Sequence, residues 1–379
     1  MRQLSWPLAA LALHEELRRQ GANSPKSTAI CHGIESLACK LEFFAHPESP
    51  SDRILGSRAF RRDKTEAVWN FSQLSQPHYV RNTHRQAATR ALRSAGGLGF
   101  AAGTRFDLLE LEPVGRALAD AFLEQRVGRG GGSLRRWLTD WLQGGQDPHR
   151  QPDSLLKALS PTYSTPEEKD LVRSRLLGTS SEACEKRKKL AHVLNSAEFP
   201  DIEKFVVPNL KSEGHGQQAD EIVAARAFGA ILDRARDATI ALTQAVEPER
   251  GGALITQLTR CASLRKALGR LRVAAESFRS KAGAAKIHES TSEAFGDALT
   301  AAHNDAEAIS LLVGRVGELL ALADGSVIRG ALFRVVDASE SLEEFEEGVT
   351  TIEPDYTGRT FRIANFHTLL RDVAQRGGK

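Results

Sequence analysis

Helical periodicity over residues 219–323 constrains the fold of this chain more than any other feature of its sequence. Apolar side chains recur there every three or four positions, the spacing that places them on one face of an α-helix. The first predicted face carries Ile222, Ala225, Phe228, Leu232, Ala235, Thr239, Leu242 and Val246. The second carries Leu254, Leu258, Cys261, Leu264, Leu268, Leu271 and Phe278. The third carries Phe295, Leu299, Ala302, Ala306, Ile309, Leu312, Val316, Leu319 and Leu320.

These faces predict three helices of about 25 to 30 residues that form an antiparallel bundle. Pro248 ends the first helix, and short turns are expected at Gly251-Gly252 and near Gly283. Residues 327–336 are either a strand or a helix, because a short apolar run fits both. A terminal helix is predicted through Phe366, Leu369, Leu370 and Val373.

The rest of the chain adds an N-terminal domain to the bundle. A chain of 379 residues exceeds the length at which one hydrophobic core usually stops growing. We therefore predict a mainly α fold in three parts. These are a basic N-terminal domain over 1–143, an irregular or helical connector over 144–218, and a C-terminal helical bundle with an acidic segment over 219–379. Within the connector, Thr165 and Pro166 mark a helix start.

Charge is unevenly distributed, although 51 Lys and Arg nearly balance 48 Asp and Glu. Residues 52–93 include nine basic and three acidic residues, a local charge excess of 9 − 3 = +6. No Lys or Arg occurs over 335–358, where the acids are Asp337, Glu340, Glu343, Glu344, Glu346, Glu347, Glu353 and Asp355. This acidic segment is either a solvated helix face, a docking surface for a basic partner or a mimic of nucleic-acid charge.

The sequence also indicates the cellular compartment of the protein. Four widely spaced cysteines in so long a chain do not form the framework typical of secreted disulfide proteins. The first residues indicate an amphipathic helix and not a signal peptide, because His14-Glu15-Glu16 interrupts the apolar run. No stretch approaches the roughly 20 apolar residues of a membrane span. We expect a soluble cytoplasmic protein with no membrane association.

A helix, a hairpin and a second helix are predicted within the basic region. The first helix covers 83–93, and Gly103-Thr104 forms the hairpin turn. Residues 106–111 form the returning strand, and Pro113 opens the second helix. This order resembles the back half of a winged helix-turn-helix domain. The resemblance covers about residues 83–122.

In that family the helix after the wing often begins with a strand Leu, a Thr or Ser cap, and then Gly-Arg-x-Leu. The corresponding residues here are Leu111, Gly115, Arg116 and Leu118, with Glu112 in the place of the cap. The resemblance implies double-stranded DNA as the partner and 83–93 as the recognition helix. The implied nucleic-acid contacts are Arg81, Arg85, Arg90, Arg93 and Arg105, the last on the wing.

The physical argument for DNA is the planar guanidinium fork, which suits phosphate and guanine. At about 100° per residue, Arg81, Arg85 and Arg93 spread over roughly 120° of the helix, whereas Arg90 points nearly opposite Arg81. The alternatives are a solvated helix face or a site for an acidic protein partner.

A glycine-rich loop at 128–133 is the sequence feature that most resembles a phosphate site. Backbone amides ahead of a helix can bind an anion, here with Gly130, Gly131, Gly132, Ser133, Arg135 and Arg136. The loop lacks the Lys-Ser/Thr pair of a Walker motif. A flexible connector capped by Ser133 is the preferred interpretation.

No catalytic constellation, metal site or cofactor is predicted. Cys31-His32, Cys39 and His46 lack a closely spaced second pair of ligands, and His303 with Asp305 is too small a set. Clustered carboxylates would be needed for metal-dependent hydrolysis. The nearest sets are Asp107, Glu110 and Glu112, which lack a following Lys, and Asp201-Ile202-Glu203-Lys204.

Three functional hypotheses follow. The first is a non-enzymatic DNA-binding or DNA-associated subunit of a bacterial multicomponent system. The second is a scaffold subunit that binds a separate ATPase or nuclease, with protein partners encoded in the same operon. The third is a metal-dependent nuclease that uses Asp107, Glu110 and Glu112. The overall composition faintly resembles accessory proteins of bacterial restriction and phage-defence operons.

Overall fold

A computed structural model of the chain describes most of its residues. The described residues are 1–21, 24–49, 51, 53–56, 60, 69–75, 83–94, 97–128, 131–145, 153–178, 181–196, 201–246, 252–287, 291–317, 319–330 and 361–374. The fold is mainly α-helical, as the sequence predicts. Contacts between Cα atoms divide the chain into two compact units. Unit 1 comprises Met1–Lys188 and Phe366–Lys379, and unit 2 comprises Lys189–Asn365.

The first half of the chain contains nine helices, counted over the described residues. They are α1 (Arg2–Arg19), α2 (Ser27–Ala45), α3 (Phe71–Leu74), α4 (His84–Leu92), α5 (Pro113–Leu123), α6 (Leu134–Leu142), α7 (Asp153–Leu159), α8 (Pro166–Arg173) and α9 (Glu182–Leu194). Two short hairpins lie among them. Their strands are β1 (Ala101–Ala102), β2 (Glu110–Leu111), β3 (Arg126–Val127) and β4 (Gly132–Ser133).

The second half contains the two longest helices and a small sheet. Its helices are α10 (Val207–Ser212), α11 (Gly216–Ala245), α12 (Ile255–Leu258), α13 (Ala262–Ala284), α14 (Thr291–Ala301), α15 (Asp305–Arg315) and α16 (Phe361–Ala374). Its strands are β5 (Gly252–Leu254), β6 (Leu320–Ala323) and β7 (Ser326–Arg329). They form an antiparallel sheet in the order β5-β7-β6.

Helix α1 is the centre of the unit 1 core, because it packs against α2, α4 and α5. Its side chains Trp6, Leu8 and Leu13 are completely buried. Burial of large apolar side chains of this kind stabilises a fold by about 1.5–3 kcal/mol each. The apolar run at the start of the chain is therefore a core helix.

Two helix starts in unit 1 have the predicted caps, Ser133 and Thr165, and the predicted helix over 83–93 starts at a third cap, Thr83. The Thr83 hydroxyl accepts from the Gln86 N–H, and the Ser133 hydroxyl accepts from the Arg136 N–H at 3.4 Å. Thr165 accepts from the Glu168 N–H at 3.1 Å, and Pro166 is the first residue of α8. Such caps satisfy amide groups that have no partner within the helix.

The unit 2 core lies between α11 and α13, which pack along much of their length. The buried residues of α11 include Ala224, Ala227 and Ala238, and small side chains let the two helices approach closely. Leu268 and Leu271 of α13 pack into this core. Strand β7 adds Val327 to the same cluster.

The predicted second and third helices of unit 2 are wrong in part. Leu254 lies in strand β5 and Cys261 precedes α13, so the second long helix begins only at Ala262. The third helix is interrupted after Ala301, and Leu320 lies in strand β6. The interruption has a local cause, because the side chain of Asn304 accepts from the Glu307 N–H at 2.9 Å and starts a new helix, α15.

Candidate functional site

The predicted recognition helix α4 is fixed at its start by a buried carboxylate of α2. Glu35 is 1% exposed and accepts hydrogen bonds from the backbone N–H groups of His84 at 2.8 Å and Arg85 at 3.2 Å. The capping box of Thr83 and Gln86 satisfies further amides of the same turn. The orientation of α4 is therefore set by α2 as well as by its own sequence.

A hairpin follows α4, with Ala101 paired to Leu111 and Ala102 to Glu110. The prediction that the returning strand begins at Phe106 is wrong, because Phe106–Leu108 forms a 3₁₀ turn and the strand covers only Glu110–Leu111. The side chain of Phe106 is buried, which draws the chain inward before the strand starts.

Two of the predicted DNA-contacting arginines bind the hairpin. The Arg85 guanidinium carbon lies 5.3 Å from the centroid of the Phe106 ring, in a cation–π contact. The Arg93 Nε donates to the Gly103 carbonyl at 3.0 Å. These contacts hold the hairpin against α4.

The remaining predicted arginines have different surroundings. Arg90 is exposed on α4. Arg105 is 74% exposed, and its guanidinium forms a two-pronged pair with Asp107 at 3.2 and 3.1 Å. Arg81 lies outside the described residues, as do Gly130 and the acidic residues from Asp337 to Asp355.

The predicted anion loop is the tip of a second hairpin. Gly131 lies in the turn between β3 and β4, and Gly132 and Ser133 form β4 itself. Arg136 is exposed on α6. Arg126 pairs with Ser133 across the hairpin, and Ser133 caps α6 as the connector interpretation predicts.

Arg135 is directed away from any anion site, because three carboxylates surround its guanidinium. Glu124 lies 2.7 Å, Glu16 3.0 Å and Asp120 2.5 Å from its nitrogens. Burial lowers the pKa of Arg135, but the hydrogen bonds to these carboxylates outweigh burial and raise the pKa above its ordinary value. Arg135 therefore connects α1, α5 and α6.

The carboxylates of the nuclease hypothesis do not form a metal-binding group. Asp107 pairs with Arg105, and Glu110 is exposed. Glu112 accepts from the Ser94 hydroxyl at 3.4 Å. Over the whole described part of the chain, no three His, Cys, Asp or Glu side chains are arranged to hold a metal ion.

Sequence reasoning missed an apolar groove in unit 2. It has a volume of about 820 Å³. One wall is α11 from Phe228 to Gln244, which is about 24 Å long at 1.5 Å per residue. The other wall is formed by Phe295 of α14, Leu312 and Arg315 of α15, and Val316 and Leu319 beyond α15.

Two large apolar side chains are exposed in this groove. Leu232 is 52% exposed and Ile240 is 50% exposed, and both belong to α11. Thr239 and Thr243 of α11 also line the groove. Each hydroxyl donates to a backbone carbonyl of the same helix at 2.9 Å. The threonines therefore add little hydrogen-bonding capacity to the wall.

Two arginines lie at the groove, one on each wall. The Arg315 guanidinium carbon lies 5.0 Å from the centroid of the Phe295 ring. Within the described ranges, no carboxylate pairs with Arg315. Arg236 of α11 contacts Asp237 at 3.9 Å.

Within the predicted core face of α11, Leu242 and Val246 are buried, whereas Leu232 is exposed in the groove. Phe228 and Ala235 of the same predicted face pack against the core and also line the groove. Ile231 and Leu242, which are completely buried, lie about a quarter of a turn from Leu232. Helix α11 therefore carries more apolar surface than its core contacts use.

No helix among the described residues is long and apolar enough to cross a membrane. Comparisons of this chain with protein-family models, curated proteins and solved structures gave no match.

Proposed function

We propose that the protein is a non-enzymatic scaffold subunit that binds a protein partner through the apolar groove of unit 2. The observation that carries this proposal is the exposure of Leu232 and Ile240 in a groove about 24 Å long. Exposed apolar patches framed by polar residues mark interaction sites, and helix-lined grooves bind the apolar face of a partner helix. A groove of this length matches about four turns of such a helix.

The test is co-expression with the products of neighbouring genes, since the resemblance to restriction and phage-defence accessory proteins implies an operon partner. The variant Leu232→Gln with Ile240→Gln removes apolar surface without adding charge, and Gln is compatible with a helix. We expect the double variant to lose a complex that the wild-type chain forms. Val273, which is 66% exposed on α13 outside the groove, provides the control Val273→Gln.

Circular dichroism of each variant verifies that its helices are retained. A complex that persists in the double variant, or one that the control disrupts equally, would contradict the proposal.

DNA binding through α4 and the β1–β2 hairpin is the second candidate function. Its support is that Arg90 and Arg105 are exposed on this helix and hairpin, while Arg85 and Arg93 hold the two together. The test therefore replaces the two exposed arginines and not the two that hold the hairpin. Arg90→Ala and Arg105→Ala remove the candidate phosphate contacts and leave the hairpin supports in place.

The measurement is fluorescence anisotropy with a labelled duplex at low salt. Each lost phosphate contact is expected to reduce the slope of log affinity against log salt by about one. Arg270→Ala, an exposed arginine of α13 in unit 2, is the control. Absence of duplex binding at low salt, or binding unchanged by the double variant, would exclude this candidate.

A further inference from the structure

The groove of unit 2 carries charge as well as apolar surface. Arg315 lies on the wall opposite α11, so that one guanidinium group stands beside the apolar strip formed by Leu232 and Ile240, whereas Arg236 lies between these two residues on α11 and contacts Asp237. The Arg315 guanidinium is held over the Phe295 ring, which limits its movement. A cation fixed beside an apolar strip favours a ligand that brings an anion to the same place.

We infer that the groove binds an amphipathic helix whose apolar stripe is bordered by carboxylates on the side that faces Arg315. This inference rests on the proposed scaffold function and adds the chemistry of the partner. Apolar residues at positions i, i+3 or i+4, and i+7 of the partner face α11, in the manner of helix-in-groove recognition. Asp or Glu beside that stripe faces Arg315, and a basic helix is disfavoured by repulsion from this guanidinium.

Outside the groove itself, the described surface of a second copy of this chain offers no such helix. Large apolar residues exposed outside the groove are Leu108, Leu254, Val273 and Leu322. Only Val273 belongs to a helix, and the others lie in strands or in the 3₁₀ turn. No described helix therefore combines two of them into a stripe.

The experiment compares two synthetic helical peptides of about 18 residues, long enough to span the groove. The peptides share one Leu stripe and differ only at the flanking positions, which are all Glu in one and all Lys in the other. Each carries a fluorescent label, and anisotropy is measured with the full-length protein at physiological salt. We expect the Glu peptide to bind at least about tenfold more tightly than the Lys peptide.

Variants of the protein test whether the preference for the Glu peptide arises in the groove. Arg315→Gln is expected to reduce the preference for the Glu peptide, and Arg315→Glu to shift it toward the Lys peptide. Arg270→Gln is a matched control, because Arg270 is exposed on α13 and does not line the groove. Leu232→Gln with Ile240→Gln is expected to abolish binding of both peptides.

The outcomes separate this inference from the proposed function. If neither peptide binds, the helix-binding function itself fails. If both bind equally and both are lost in the apolar double variant, the groove binds helices but the charge preference is overturned. Self-association abolished by that double variant would assign the groove to a second copy. Binding gained only when residues 337–355 are replaced by a Gly-Ser linker would assign it to the chain itself, and either result overturns the inference.

Discussion

Arg2 and Glu168 form an ion pair in which both side chains are 0% exposed. The Arg2 Nη1 donates to the Glu168 Oε1 at 3.1 Å, and the Ser5 hydroxyl donates to the same oxygen at 2.7 Å. The Arg2 guanidinium also lies 4.7 Å from the centroid of the Phe122 ring. A buried pair of this kind stabilises a fold only while every charge has its partners, because an unpaired charge in the interior is strongly destabilising.

Glu168→Ala is therefore expected to lower the free energy of unfolding by about 3–5 kcal/mol. Urea denaturation followed by circular dichroism measures the change. Glu167→Ala is the matched control, since Glu167 lies in the same first turn of α8 but is exposed. Its effect should stay below about 1 kcal/mol, the usual contribution of an exposed acid to a helix start. Equal effects of the two substitutions would contradict the buried-pair argument.

His84 predicts a dependence of stability on pH. Burial, followed by repulsion from the Met1 amino group, lowers the pKa of His84 to about 4, and a hydrogen bond to the Arg53 backbone only partly opposes this. The unfolded chain has an ordinary histidine pKa near 6.5, so between these values the unfolded state binds more protons than the folded state. Stability therefore falls as the pH decreases through about 6.5, and the loss is complete below about 4.

We expect His84 to account for a loss of about 2 kcal/mol in the free energy of unfolding between about pH 7.5 and about pH 5. The measurement is urea denaturation of the wild type and His84→Phe at both pH values. The wild type should lose more stability than the variant over this interval. The same slope in both proteins, or an imidazole that titrates near pH 6.5 by NMR, would show that His84 is not the cause.

At the residue scale, sequence reasoning succeeded where the physical cause is local. The predicted caps Ser133 and Thr165 each act within three residues of their own position. The pairing of Arg2 with Glu168 spans 166 residues and has no local pattern. The roles of Arg85 and Arg93 likewise depend on the position of the hairpin, which α4 alone does not specify.

At the scale of elements, Gly115 shows why α5 can pack closely against the chain before it. A Cβ atom at Gly115 would lie only 1.9 Å from the Phe100 carbonyl oxygen. The same carbonyl accepts a hydrogen bond from the Glu112 N–H at 3.0 Å, so this segment cannot move away without losing that bond. Glycine at this position is a packing requirement.

Gly115→Ala is expected to lower the free energy of unfolding of unit 1 by about 1–3 kcal/mol, as overpacking usually does. Gly229→Ala is the contrasting control, because a Cβ atom there meets nothing within 4 Å. In the middle of α11 this second change should stabilise unit 2 by about 0.5–1 kcal/mol. Thermal denaturation distinguishes the two, and stabilisation by both substitutions would refute the packing argument.

Periodicity predicted helices more reliably than it predicted where they end or which face they bury. The interruption before α15 was signalled by Asn304 and Glu307, a capping pattern inside a long apolar repeat. The hairpin of β6 and β7 was signalled by Asp324-Gly325, both of which have positive φ. The face of α11 could not be assigned because its apolar residues cover two neighbouring stripes.

At the scale of the whole molecule, the last helix completes unit 1. The Asp372 carboxylate accepts from the Met1 amino group at 2.7 Å and forms an ion pair with Arg53 at 2.7 Å. Leu370 and Val373 are buried in the same helix. Contacts between residues more than 300 positions apart leave no local pattern, so the sequence alone did not indicate this association.

Asp372→Ala and Leu271→Ala are therefore expected to act on different units. Leu271 is completely buried in the core of unit 2. Calorimetry of the full chain should show two unfolding transitions, with each substitution lowering the midpoint of only one. We expect a loss of about 2–5 kcal/mol for Leu271→Ala. A single transition shifted by both substitutions would mean that the units unfold as one cooperative body.

The position of Asp372 has a consequence for biosynthesis. Ribosomes release a chain from its amino end, and domains generally fold as they emerge. Unit 1 is the first to be synthesised, yet Met1 and Arg53 obtain their carboxylate partner only when α16 has left the ribosome. All the residues of unit 2 emerge earlier, so the amino-terminal unit is the last to be finished, and a premature stop anywhere before α16 leaves it without its closing helix.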